Sequence, residues 1–366
     1  MELKLQIIKE IKDKGYITIS DFMKIAMSTY KDSYYRRKNP FESKGDFITS
    51  PEISQMFGEL IGIWIYNQWA LLGKPSNLNL VELGPGSGVL MRDILKVILR
   101  TDMAESFFIF MVDINHELVL KQKENLHFFN KIRWIESISD VPNSISIFIA
   151  NEFFDALPIS QYIKEKLEWK EVILRATEHN DDIIFARLSL HDIQNEHFKY
   201  EYKNARDGAI IEESRESLDT IRILAQHSNK YDSISLIIDY GYDVIPKLRK
   251  HTQYFPTLQA IKQHNYTPLL THIGNTDLSA HVDFYALKKT AIASGASSFG
   301  AITQREFLQN LGINLRLQKL VDTNSNLQTI LKNQYNRLMS KSQMGELFKV
   351  ISISRKGTTP FLFDQL

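Results

Sequence analysis

The chain of 366 residues has no cysteine. That absence excludes disulfide frameworks, cysteine metal clusters and thiol nucleophiles. Its histidines form neither a His-x-x-x-His nor a His-Glu-x-x-His pattern, so a zinc enzyme is not expected. Charge of one sign is also missing: 44 Lys plus Arg stand against 43 Asp plus Glu. A generic polyanion binder normally carries a basic excess, so nucleic acid is not an expected partner. No uncharged apolar run approaches the 18 residues of a membrane span. The N-terminal segment from Met1 to Glu10 carries charges every few residues, unlike a secretory signal, and it is not the Arg- and Ser-rich, acid-poor stretch of a transit peptide. By default these absences predict a cytoplasmic, bacterial protein; an organellar protein with its presequence removed would look the same. A homodimer is compatible with all of them.

What is present is the rhythm of an α/β sheet. Short apolar strands are predicted at 78–83, 107–112, 145–150 and 234–238, with a helix over 89–100 between the first two. Strands alternating with helices imply a mostly parallel sheet covered on both faces. Residues 2–29 read as one or two short helices, broken near Gly15 and capped afresh by Ser20-Asp21. Residues 30–47 read as a loop with a solvated basic cluster at Arg36, Arg37 and Lys38. Ser50-Pro51-Glu52 opens a long helix, with Ser50 as its cap and Pro51 at the first helical position. Residues 169–174 and 183–188 flank a turn-like His179-Asn180-Asp181-Asp182 and predict a hairpin. Helix is predicted near 207–228, a capping box at Thr303 to Glu306, and a closing strand over 347–354. The expected organisation is a helical extension over 1–77 and a core over 78–366, with an insertion at about 160–230.

The segment Glu82-Leu83-Gly84-Pro85-Gly86-Ser87-Gly88 follows the first strand. Glycines there let a backbone approach a ligand closely. In a doubly wound sheet, ligands sit where strands end at a switch in strand order. A dinucleotide fingerprint is Gly-x-Gly-x-x-Gly, but its third glycine is replaced here by Val89. The loop is instead Glu-x-Gly-x-Gly-x-Gly. S-adenosylmethionine has no pyrophosphate; it has an ammonium group, a sulfonium and a ribose, for which carboxylates are suitable neighbours. Glu82 suits the cationic end, and Asp113, at the end of the next strand, suits the ribose hydroxyls. The candidate cofactor contacts are thus Glu82, Gly84, Pro85, Gly86, Gly88, Asp113, Ile114 and Asn151. A nicotinamide cofactor stays open, since an acid also binds ribose at that position.

Two further segments are candidates for meeting the substrate. Asn151-Glu152-Phe153-Phe154-Asp155 follows the third strand, where such a sheet overlooks the reactive end of a cofactor. His281-Val282-Asp283-Phe284 is a second polar cluster. Glu152, Asp155, His281 and Asp283 are the candidate catalytic residues; no metal is expected. Carboxylates would hold a guanidinium by paired hydrogen bonds and accept its proton. A buried-helix start for 152–155 and a packing role for His281 are the alternatives.

The chain resembles the MidA family. The resemblance rests on Lys44 to Glu52, Val81 to Gly88, Ala150 to Pro158, Ile238 to Tyr242, Thr257 to Ala260, Ala280 to Phe284 and Met344 to Lys349. It implies a class I methyltransferase fold of Rossmann-like α/β type with a family-specific insertion. It also implies symmetric dimethylation of a protein arginine, in the quinone-site subunit of respiratory complex I. It further draws in Thr49 and Pro51, whose helix N-terminus would face the cofactor's carboxylate. Ser87 stands where many members carry Arg. Two other readings remain: a non-catalytic assembly chaperone that binds the cofactor, and a nicotinamide-dependent oxidoreductase.

Overall fold

The structure, a computed structural model, describes residues 2–36, 49–178, 182–263 and 265–363. The motif residues Lys44 to Ile48, the basic residues Arg37 and Lys38, and the turn residues His179 to Asp181 lie outside the described residues. The chain divides into two compact units. One draws on residues 1–47, 155–218 and 243–285, the other on 48–154, 219–242 and 286–366. This division does not follow a boundary at residue 77, because the helix over Gln55–Leu71 packs within the second unit.

The second unit is built on a sheet. Its strands are β1 (Leu78–Leu83), β2 (Phe107–Val112), β3 (Ile132–Ile135), β4 (Ser146–Asn151), β5 (Ile234–Tyr242), β6 (Ser297–Thr303) and β7 (Phe348–Ser354). Their order across the sheet is β6-β7-β5-β4-β1-β2-β3. The pairs β1–β2, β1–β4, β2–β3 and β4–β5 are parallel; β7 alone runs antiparallel to β5 and β6. Strand order reverses between β1 and β4, which is where an α/β sheet opens a ligand crevice. Every residue of β1 and β4 is buried, as expected of strands covered on both faces.

Helices α1 (Gln55–Leu71) and α2 (Val89–Ile98) pack against each other in this unit, and α3 (His116–Asn125) follows β2. Gly58 on α1 makes the α1–α2 approach possible: a Cβ there would lie 2.6 Å from the Asp93 Cβ. The expected long helix from Ser50 is in fact two. Thr49 caps a single turn over Ser50–Ile53, and the backbone at Ser54 is extended. Ser54 then caps α1 by accepting the Met56 N–H at 3.3 Å. A serine side chain that takes a nearby backbone N–H offers the chain this alternative to continuous helix.

The first unit has its own cores. A helix over Glu2–Lys14 buries Leu3, Ile7, Ile8 and Ile11 with Val172 and Leu174 of the strand Glu168–Ala176. That strand pairs antiparallel with Ile183–Ser189, as the predicted hairpin requires. The second N-terminal helix is capped by Thr18, not Ser20-Asp21, with Asp21 closing the capping box. The stretch near 207 is not helical from its start: Ile210–Glu213 is a strand, and helix runs over Arg215–Tyr231. A three-stranded sheet of Gln259–Lys262, Asn265–Thr267 and Asp277–Ser279 completes the unit.

Candidate active site

The glycine loop leaves the end of β1 in left-handed backbone. Gly84, Gly86 and Gly88 have φ of 61°, 53° and 80°. Gly84 is fixed twice over, since a Cβ there would meet the Phe153 ring at 2.8 Å. The same contact places the Asn151–Phe154 segment beside the loop. Gly88 lies flush on Gln122, where a Cβ would be 3.3 Å from the Gln122 Cα.

Two acids stand at this loop. Glu82 is 2% exposed and its Oε2 has no hydrogen-bond partner among the described residues. Burial holds its carboxyl well above the usual carboxylate range, and the Asp113 charge adds to the effect. A buried carboxylate oxygen without a donor fits a cationic ligand group, because such an atom is costly unless paired. Asp113 sits just past β2. Its Oδ1 accepts the Asn115 N–H at 2.8 Å and its Oδ2 accepts from Gln122 Nε2 at 2.8 Å. Burial pushes its pKa up to about 6, against the lowering effect of those bonds. Asn115 in turn caps α3, accepting from the Glu117 and Leu118 N–H groups.

Asn151 ends β4, and its Oδ1 is buried without a partner among the described residues. Glu152 follows in left-handed backbone with φ of 50°. For a residue with a Cβ that conformation costs roughly 1–2 kcal/mol, so the surrounding structure must hold it. It does: the Glu152 N–H donates to Ile238 O at 2.9 Å, and Glu152 Oε1 accepts the Ser50 N–H at 2.8 Å. Asn151 Nδ2 lies 3.3 Å from the same oxygen. The Phe154 N–H donates to Asp239 Oδ2 at 3.0 Å, so the end of β5 fixes the same turn. Glu52 meets the loop itself, accepting from Ser87 Oγ at 3.1 Å. Thr49 and Pro51 therefore flank residues bonded to Glu152 and to the glycine loop.

Asp155, His281 and Asp283 belong to the first unit. The Asp155 carbonyl accepts the Ala280 N–H at 2.9 Å, which joins it to the His281 segment. The His281 N–H donates to Thr257 Oγ1 at 2.9 Å. Thr257 is held by Glu212, which accepts from its N–H, its hydroxyl and the Leu258 N–H. Burial lowers the His281 pKa, opposed by the Glu212 charge. Asp283 Oδ2 is 3.7 Å from Arg249, which is 4% exposed. Glu213 nearby is pushed up to about 7 by burial and by the Asp283 charge. Sequence reasoning missed Gln122, Asn115 and Glu212. They lie in no motif, and only their hydrogen bonds single them out.

A doubly wound sheet, a glycine loop at its switch point, an acid near the end of β1 and another just past β2 define a Rossmann-like methyltransferase of class I type. The family described as "Putative S-adenosyl-L-methionine-dependent methyltransferase" matches residues 60–302. A Xenopus tropicalis protein named "Protein arginine methyltransferase NDUFAF7, mitochondrial" is 33% identical over 96% of this chain and 86% of its own. A Caenorhabditis elegans homolog of that name is also 33% identical, over 99% and 88%. A Burkholderia thailandensis protein, crystallised with S-adenosyl-homocysteine, shares the fold with a TM-score of 0.85 at 23% identity; the match covers 97% of this chain and 92% of that one. The chain belongs to this S-adenosylmethionine-dependent methyltransferase family, and S-adenosylmethionine is its cofactor. The nicotinamide reading falls with that result.

The expectation of a bacterial cytoplasmic protein is corrected by the same relatives, which are named mitochondrial. Composition distinguishes a membrane span from its absence, but it does not carry the address of a globular chain. No helix among the described residues is long and apolar enough to cross a membrane.

Proposed function

We propose that the protein methylates arginine side chains of a protein partner, to the symmetric dimethyl form, and that the partner is a subunit of respiratory complex I. The support for arginine is twofold: the relatives are named protein arginine methyltransferases, and acidic side chains recur at the candidate site. When bound, S-adenosylmethionine supplies an electrophilic methyl group. Glu82 would hold the cationic end of the cofactor, the backbone of Gly84 to Gly88 would give it room, and Asp113 would accept hydrogen bonds from the ribose hydroxyls. Ile114, Pro85 and Asn151 would line the same place, and Thr49 and Pro51 would contribute from the neighbouring helix turn.

The observation that carries the catalytic reading is Glu152. Its carboxylate is held in a strained backbone position beside the glycine loop by the Ser50 N–H. Such strain is retained where position matters to function. Glu152 would grip the guanidinium of the incoming arginine, aim one nitrogen, and take the proton that nitrogen loses as the methyl passes to it from the sulfonium, whose S–CH3 bond breaks to leave the thioether. Asp155, His281 and Asp283, all in the first unit, are the further candidate substrate contacts.

Glu152→Gln tests it. The amide keeps an acceptor for the Ser50 N–H but loses the charge. S-adenosylhomocysteine affinity should stay within about threefold while methyl transfer falls by about 100-fold or more, in line with loss of a positioned proton acceptor. Unchanged turnover would remove Glu152 from the mechanism. If the wild-type protein binds the cofactor tightly yet labels no protein, the assembly-chaperone reading replaces the enzyme for that partner.

A further inference from the structure

The cofactor contacts proposed above do not explain why the glycine loop and the ribose acid hold their places before any ligand arrives. Both are tied to one residue of α3. Gln122 is fully buried. Its Nε2 donates to the Gly86 carbonyl at 2.8 Å and to Asp113 Oδ2 at 2.8 Å. An amide nitrogen has two hydrogens, so both are used. Its Oε1 accepts from Trp134 Nε1 on β3 at 2.9 Å, and that bond fixes which way round the amide sits. Three positions later on the same helix face, Asn125 Nδ2 donates to the Ser87 carbonyl at 2.9 Å. Gly88 packs flush on the Gln122 stem.

We infer that Gln122 is the positioning residue of the cofactor site, a buried amide, oriented by Trp134, that locks the glycine loop and the Asp113 carboxylate into one preformed cradle. This role rests on Asp113 being the ribose acceptor. With Oδ1 held by Asn115 and Oδ2 by Gln122, the carboxylate cannot swing, and its remaining lone pairs point in fixed directions. A ligand then pays little ordering cost for either half of the cradle. Losing Gln122 loosens both at once, so the effect falls on cofactor affinity and leaves the chemical step alone.

Burial raises the Asp113 pKa most; the bonds from the Asn115 N–H, the Gln122 amide and the Ile114 N–H and the charge of His116 lower it, while the Asp113 charge in turn raises that of buried Glu82. Cofactor binding uses the ionised carboxylate, so affinity rises with pH as Asp113 ionises. Without the Gln122 bond, that rise moves to higher pH.

The test is calorimetric titration of S-adenosylhomocysteine, between pH 5 and 8, into the wild type and into Gln122→Met, which keeps volume but removes both donors. The expected result is at least tenfold weaker binding, an upward shift of the pH midpoint, and a raised KM for S-adenosylmethionine with kcat at saturating cofactor within about twofold. A dissociation constant within twofold of wild type with an unmoved midpoint overturns the inference. If Gln122→Met does not fold, Trp134→Phe asks the same question by releasing the amide. Threefold weaker binding with the same direction of pH shift supports the claim, and unaltered binding refutes it. Asp113→Ala separates the layers. If that variant binds normally, the ribose assignment has failed; if it binds weakly while Gln122 variants do not, only the positioning role has.

Discussion

At the scale of single residues, the site is a set of charges kept in places where charge is costly. Asp113 shows the consequence for pH. Its folded pKa of about 6 lies above the ordinary aspartate value of 3.8. A raised carboxyl contributes stability that is fully present below the unfolded pKa and is lost as pH rises through the folded one. Cofactor-free protein should therefore gain from this group near pH 4 and lose that gain by pH 7. Cofactor affinity runs the other way, because the ribose needs the ionised form. Binding of S-adenosylhomocysteine should weaken as pH falls through about 6, and Asp113→Asn should abolish that dependence. A profile identical in wild type and Asp113→Asn would contradict the assignment. Asp113→Ala should cost roughly 1.5–3 kcal/mol, the range for hydrogen bonds to a charged group, or about ten- to 100-fold in affinity. Gly84→Ala is a second test, since its Cβ meets Phe153 at 2.8 Å in left-handed backbone. The variant should lose about 1–3 kcal/mol in denaturant melts and bind cofactor more weakly.

At the scale of elements, legibility followed burial. Strands β1 and β2 could be read at their observed bounds because β2 is a continuous apolar run that stops at an acid, and β1 is an apolar run, broken only by Asn79 and Glu82, that stops at a glycine. Strand β3 went unread: Ile132–Ile135 is short and half-exposed, with no alternation to mark it. Strand β6 is rich in small residues, Ser297 to Ala301, and is marked only by its ladder with β7. The break at Ser54 is a choice between two hydrogen bonds, which periodicity does not record. In the site, the glycine loop, Glu82 and Asp113 stood out as a motif. Gln122 and Glu212 did not, because their role is defined by carbonyls and hydroxyls distant in sequence. The α1–α2 contact carries its own prediction. Gly58→Ala puts a Cβ 2.6 Å from that of Asp93, so overpacking should cost about 1–3 kcal/mol. An unaltered urea midpoint would show that the helices separate more easily than their packing implies.

At the scale of the molecule, composition excluded more than it identified. No cysteine and a balanced charge removed thiol and polyanion chemistry, but the compartment was misjudged, because the relatives carry mitochondrial names. Fold, cofactor and family agree across the whole chain. The choice of arginine as acceptor is what the account adds to them. It is tested most directly by incubating the purified protein and tritiated S-adenosylmethionine with the quinone-site subunit of complex I, followed by acid hydrolysis and amino-acid analysis. The account predicts label in symmetric dimethylarginine from the wild type and none from Glu152→Gln. Label in another amino acid, or none from a wild-type protein that binds S-adenosylhomocysteine tightly, would contradict it.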